Sequence, residues 1–169
     1  MATSAESIVV IIDANILINL LRIGQLPLLG ELDAYRFLVP EEVVGEITDP
    51  AQSEQIASAI ASGYLEQIAV DTIEALGLFA ELRDVMGRGE AACLALSATT
   101  GSYLASDEKK RFRRRAVELI GETRILRTES ILIEAIRQGR ITVSMADGFK
   151  ADLEANRYLM PFGSFSDLL

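Results

Sequence analysis

The chain has 169 residues, half of them apolar, with 25 acidic and 16 basic residues, a net charge of −9 and no histidine. Its length suits one domain over residues 1–169 with a sizeable core, and so apolar a composition excludes a disordered chain. The missing histidine removes the commonest general base and zinc ligand, and the acidic balance excludes a module that coats nucleic acid by charge alone.

The chain opens on MATSAESIVV, which has no basic region before its apolar run and so lacks the pattern of a secretory signal. The longest apolar stretch, Ile8–Leu21, carries Asp13, Asn15 and Asn19, whereas a membrane span needs about 20 apolar residues. Within it, Ser7–Asp13 (SIVVIID) is rich in β-branched residues and predicts a central buried strand. Further short strands are expected at Arg36–Val39, Glu66–Val70, Ser102–Ala105 and Arg124–Leu126. Between and after them, helices are expected over about Asn15–Arg22, Glu41–Thr48, Gln52–Ala61, Thr72–Met86, Glu90–Thr100, Glu108–Ile120, Ser130–Gln138 and Ser144–Asn156. Gly24, Gly63, Gly101, Gly121 and Gly139 fall where helices need left-handed caps. The single cysteine, Cys93, cannot form an internal disulfide and reads as a small buried hydrophobe on a helix. A cytoplasmic protein without membrane contact is expected.

Alternation of strands and helices predicts a parallel sheet with helices on both faces. In such sheets the ligand site lies beyond the carboxyl ends of the strands, at the switch point of strand order. The polar residues at those ends are therefore the ones to weigh. Asp13 directly follows IVVII, where a buried carboxylate needs a metal, a base or backbone N–H groups; it is also a good N-cap. Asn15 suits either orienting Asp13 or capping. In VPEEVVGEI, Glu46 borders an apolar helix face made by Val43, Val44 and Ile47; Glu41 and Glu42 also point outward, and geometry alone leaves the choice among the three acids open. Glu90, in MGRGEAACLALSA, falls in the first turn of a helix, where an acid also pairs with the helix dipole. Asp107, in SYLASDEKKRFRRRA, follows another strand and precedes a helix; Ser106 and Glu108 are its supporting neighbours. Converging carboxylates without histidine suit hard cations such as Mg²⁺ or Mn²⁺, and a phosphodiester is their natural substrate.

In order and spacing, IIDANILINLL, VPEEVVGEI, GRGEAACLALS and LASDEKKRFRRRA resemble the PIN-domain family over about residues 8–120. TESILIEAIRQGRI and ADLEANRYL are similar to the C-terminal part of a bacterial and archaeal PIN group. The resemblance implies a three-layer α/β/α sandwich with a five-stranded parallel sheet, its core over about 8–127 and a helical extension over about 128–169. It implies Mg²⁺ or Mn²⁺ held by Asp13, Glu46, Glu90 and Asp107, with Asn15, Ser106 and Glu108 in support. It further implies endoribonuclease activity by a metal-activated water, leaving a 5′-phosphate and a 3′-hydroxyl. Many members are toxins of toxin–antitoxin pairs, so an antitoxin protein and a homodimer are expected partners. The alternative is a catalytically silent PIN fold that binds RNA or a partner. Two departures stand out: Glu108 occupies the place of a frequent second aspartate, and a common glycine is replaced near Arg127.

Lys109, Lys110, Arg111, Arg113, Arg114 and Arg115 concentrate six of the sixteen cations. Arg111, one turn after Asp107 on the expected helix, shares its face and is read with Lys109 and Lys110 as an RNA phosphate contact. The same run also reads as a solvated helix face. Two other enzyme classes fit poorly. A haloacid-dehalogenase phosphatase needs a second aspartate where Asn15 stands, and a response-regulator receiver needs paired acids after the first strand.

Overall fold

A computed structural model describes residues 6–169; the first residues of MATSAESIVV, on which the absence of a signal was read, lie outside the described residues. The elements run β1 (Ile8–Ile12), α1 (Ala14–Arg22), α2 (Leu28–Glu31), β2 (Tyr35–Pro40), α3 (Glu41–Glu46), α4 (Pro50–Ala61), β3 (Glu66–Ile68), α5 (Ile73–Arg83), α6 (Arg88–Thr100), β4 (Tyr103–Ala105), α7 (Lys110–Ile120), β5 (Ile125–Leu126), α8 (Thr128–Arg137) and α9 (Val143–Ala155). All five expected strands form. The short α2 and a 3₁₀ turn at Phe165–Leu168 have no counterpart among the expected elements.

The sheet order is β3-β2-β1-β4-β5, and every pairing is parallel. β1 is central: Val10, Ile11 and Ile12 are inaccessible on both faces, as the β-branched run requires. Burying each such side chain contributes about 1.5–3 kcal/mol relative to leaving it in water. α6 packs on β1, β2 and β4, flanked by α3, α5 and α7, while α1 packs with α8 and α9. The result is the expected three-layer α/β/α sandwich.

α6 shows how sequence sets the layers. Ala91 to Ser97 are buried without a break, and three of these seven are alanine, so the helix lies close to the sheet with no solvated face there. Cys93 is fully buried on it, with Sγ 3.8 Å from the Ile12 carbonyl oxygen. Gly101 ends the helix at φ 70° and ψ 16°, the left-handed cap that favours glycine. Among the described residues no helix is long and apolar enough to cross a membrane.

After β3 the chain returns through α5 and α6 to the other side of β1 and enters β4. Strand order therefore reverses between β1 and β4. Asp13 follows β1 and Ser106 follows β4, so both stand at the switch point.

Candidate active site

Asp13 is 3 % exposed at the end of β1. It caps α1, with Oδ1 accepting from Ala14 N at 2.8 Å, and its Oδ2 accepts from Ser106 Oγ at 3.1 Å. The capping reading thus holds, and it leaves a buried carboxylate with only two donors. Burial pushes its pKa up to about 7; the charges of Glu90 and Glu108 push the same way, against the Ala14 N–H and the Ser106 hydroxyl.

Asn15 and Ser106 tie the loop after β4 to the start of α1. Asn15 Nδ2 donates to Glu108 Oε1 at 3.1 Å, and Asn15 Oδ1 accepts from Asp107 N at 3.2 Å. Ser106 Oγ accepts from Glu108 N at 3.2 Å. Glu108 is thereby held on the side of Asp13 and Glu90. In the first turn of α6, Glu90 is half-buried; burial raises its pKa, followed by the charge of Glu108, and the charge of Glu46 adds to this.

Glu46, the last residue of α3, reaches the same helix end. Its Oε1 accepts from Gly89 N at 2.7 Å, supplying the cap that Gly87 does not. A Cβ at position 89 would stand 2.8 Å from Glu46 Cδ, so the approach requires glycine.

Asp107 is turned elsewhere. Its Oδ1 accepts from Thr128 N at 2.9 Å and its Oδ2 from Thr128 Oγ1 at 2.5 Å and Asn19 Nδ2 at 3.0 Å. Tyr158 OH lies 2.7 Å from Asp107 Oδ1 and 2.6 Å from Glu129 Oε2, with Arg127 Nε 3.2 Å from Glu129 Oε1. Burial, then the charge of Asp107 and the bond to Glu129, push the Tyr158 pKa far up, so the hydroxyl keeps its proton. Asp107 does not cap α7, which starts at Lys110; it caps α8 from across the sheet end.

The later start of α7 also moves Arg111. Asp107, Glu108 and Lys109 precede the helix, so Asp107 and Arg111 do not share a helical face. Arg111 instead lines a hollow with Glu81, Leu82, Val85, Met86 and Arg115. Lys109 stays beside Glu108, and Lys110 turns the chain at φ 54°.

Asn19, Thr128, Glu129 and Tyr158 were absent from the sequence-based site. Only Asn19 carries a local signal, as an amide among Ile16, Leu17 and Leu20 on a buried helix face.

The donors around Asp13 are carboxylate, amide and hydroxyl oxygens, the chemistry a hard divalent cation takes. Among the described residues, no lysine or arginine forms an ion pair with Asp13, Glu46, Glu90 or Glu108. A buried acid facing two others without a counter-cation fits a metal. As positioned, however, no three acidic or thiol side chains among the described residues converge tightly enough to hold an ion.

Fold and site together define an α/β/α sandwich protein with an acidic cluster at its switch point. A family model described as PIN domain matches residues 9–159. The chain belongs to the PIN-domain family, whose fold is of the nuclease type. No curated protein and no solved structure matches it.

Proposed function

We propose that this chain is a Mg²⁺- or Mn²⁺-dependent endoribonuclease and the toxin of a toxin–antitoxin pair, working in the cytoplasm. One observation carries the reading: Asp13 is buried at the switch point beside Glu90 and Glu108 and, among the described residues, forms no ion pair with a basic side chain. Such a cluster repels itself until a cation joins it. The whole chain is read as one PIN unit, with α8 and α9 as its C-terminal extension.

In this reading Asp13, Glu90, Glu108 and the free oxygen of Glu46 hold the ion. Glu108 replaces Asp107, whose oxygens are occupied by Thr128, Asn19 and Tyr158. A divalent ion there supplies an activated water and steadies charge on the phosphoryl oxygen. Ser106 and Asn15 orient Asp13 and Glu108. Asp107 positions the loop that carries them.

An antitoxin and a second copy of the chain are the protein partners of this reading. Ile73, 87 % exposed, and the exposed Leu76 on α5 give one apolar surface suited to such contact.

The test is incubation of the purified protein with cellular RNA in EDTA and in Mn²⁺, followed by mapping of new ends. Cleavage in Mn²⁺ that leaves 5′-phosphates and stops in EDTA is expected. Cleavage that persists in thoroughly chelated buffer overturns the metal mechanism. The silent PIN fold is the reading that the absence of a tight three-acid cluster among the described residues favours, and RNA binding without new ends in Mn²⁺ would establish it.

A further inference from the structure

A groove of about 320 Å³ adjoins the acidic cluster, bounded by a face of α1 from Asn15 to Arg22, by the segment just after α9 and by the loop before α7. Asn15, Asp107 and Glu108 stand in its wall, so it is continuous with the candidate site. Its volume is at the lower end of small-ligand sites, room for about one nucleotide unit.

The groove's charge opposes that of the chain. Arg22 from α1, Lys109 from the loop and Arg157 from beyond α9 all line it. All three are exposed, and among the described residues none forms an ion pair. Asp107 also borders the groove, but its oxygens already accept from Thr128, Asn19 and Tyr158.

Arginine at a helix C-terminus also serves the helix dipole, which accounts for Arg22 taken singly. It does not account for two helix ends and Lys109 meeting at one hollow beside the acids. Nor does it account for arginine at position 157, where φ is +68° and glycine is the easier residue. A chain of net charge −9 repels a polyanion, and its acidic cluster does so most strongly. A phosphodiester strand reaching Asp13 therefore needs cations close by to hold it.

We propose that Arg22, Lys109 and Arg157 hold a backbone phosphate of a single RNA strand next to the bond presented to the acids. The substrate class rests on the ribonuclease reading above. The groove, not the face of α7 bearing Arg111, is the RNA track.

The experiment uses the full chain carrying Asp13→Asn to prevent turnover, and a short labelled single-stranded RNA titrated at several salt concentrations. Arg22→Ala, Lys109→Ala and Arg157→Ala are each expected to weaken binding about 3- to 10-fold, and together to lower the salt slope by about two to three. Arg111→Ala should stay within about twofold, on the same reasoning. With Asp13 restored, the three variants should keep the wild-type rise in Tm with Mn²⁺, because they leave the acids intact. Unchanged affinity and salt slope in the triple variant would overturn the proposal, as would a larger loss from Arg111→Ala. RNA held through this groove but never cut, with Asp13 present and Mn²⁺ added, sinks the ribonuclease reading and leaves the groove standing. RNA cut normally by the triple variant sinks the groove alone.

Discussion

Thr128 and Asp107 are joined twice: the Thr128 backbone N–H donates to Oδ1 at 2.9 Å and its hydroxyl to Oδ2 at 2.5 Å. Both residues are buried, and the pair links the start of α8 to the loop after β4. Charge-assisted bonds of this kind are about twice as strong as neutral ones. They set the direction in which Asp107 points, and so leave Glu108 on the side of Asp13.

Asp107→Asn and Glu108→Gln should therefore separate stability from metal binding. An amide at 107 places N–H groups against donors, and the variant is expected to lose about 1–3 kcal/mol of stability while keeping part of its stabilisation by Mn²⁺. Glu108→Gln is expected to fold as well as the wild type and to lose most of that stabilisation. Thermal unfolding with and without excess Mn²⁺ reads both. Full stabilisation in Glu108→Gln together with none in Asp107→Asn would reverse the assignment.

Asp13 gives a pH dependence with a definite sign. Its folded pKa, about 7, lies above the unfolded value near 3.9. Between those pH values the folded chain holds a proton that the unfolded chain has lost, so metal-free stability falls as pH rises through the window. The difference corresponds to about 4 kcal/mol as an upper bound. Asp13→Asn should flatten the profile and raise metal-free stability at pH 7.5 while abolishing RNA cleavage. Mn²⁺ affinity should climb to about pH 7 and then level off, because the ion displaces that proton. Urea unfolding at a series of pH values tests the first claim, and a profile unchanged by Asp13→Asn would refute it.

The parts legible in the sequence were those set by local chemistry. IVVII is β-branched and apolar throughout, so its burial as β1 and the exit of Asp13 from it follow without tertiary knowledge. The caps at Gly24, Gly63, Gly101 and Gly139 were legible for the same reason, and all four have positive φ; Gly121, expected with them, also has positive φ but at ψ 154° is not a left-handed helical cap. The choice between Asp107 and Glu108 was not. In an extended loop neighbouring side chains point apart, and Thr128 and Tyr158 decide which points where. The helix after β4 begins two residues later than its pattern predicts, which was enough to carry Arg111 away. Arg22 and Arg157 meet only because α1 and α9 pack together, which no local pattern announces.

Gly89 should resist replacement by alanine. In an ordinary helix that change stabilises by about 0.5–1 kcal/mol. Here the new Cβ would stand 2.8 Å from Glu46 Cδ and force the carboxylate off the end of α6. The lost cap costs about 0.5–2 kcal/mol and outweighs that gain, so a net loss of about 0.5 kcal/mol is expected, with weaker Mn²⁺ stabilisation. A variant that gains stability and binds Mn²⁺ normally would show that Glu46 is not held against Gly89.

Tyr158 sets the last expectation. Its one proton serves two carboxylates, Asp107 Oδ1 and Glu129 Oε2, and so ties the segment after α9 to the sheet end. Tyr158→Phe removes the donor and leaves both carboxylates facing an apolar ring edge, at a cost of about 1–3 kcal/mol. Part of that loss is repulsion between the two acids, which Glu129→Gln relieves. The double variant is therefore expected to be more stable than Tyr158→Phe alone, so the two changes are not additive. Urea unfolding of the four proteins measures this, and hydrogen exchange should show α9 opening more readily in Tyr158→Phe. Additive losses would mean that the hydroxyl does not mediate between the acids, and the clasp would reduce to separate contacts.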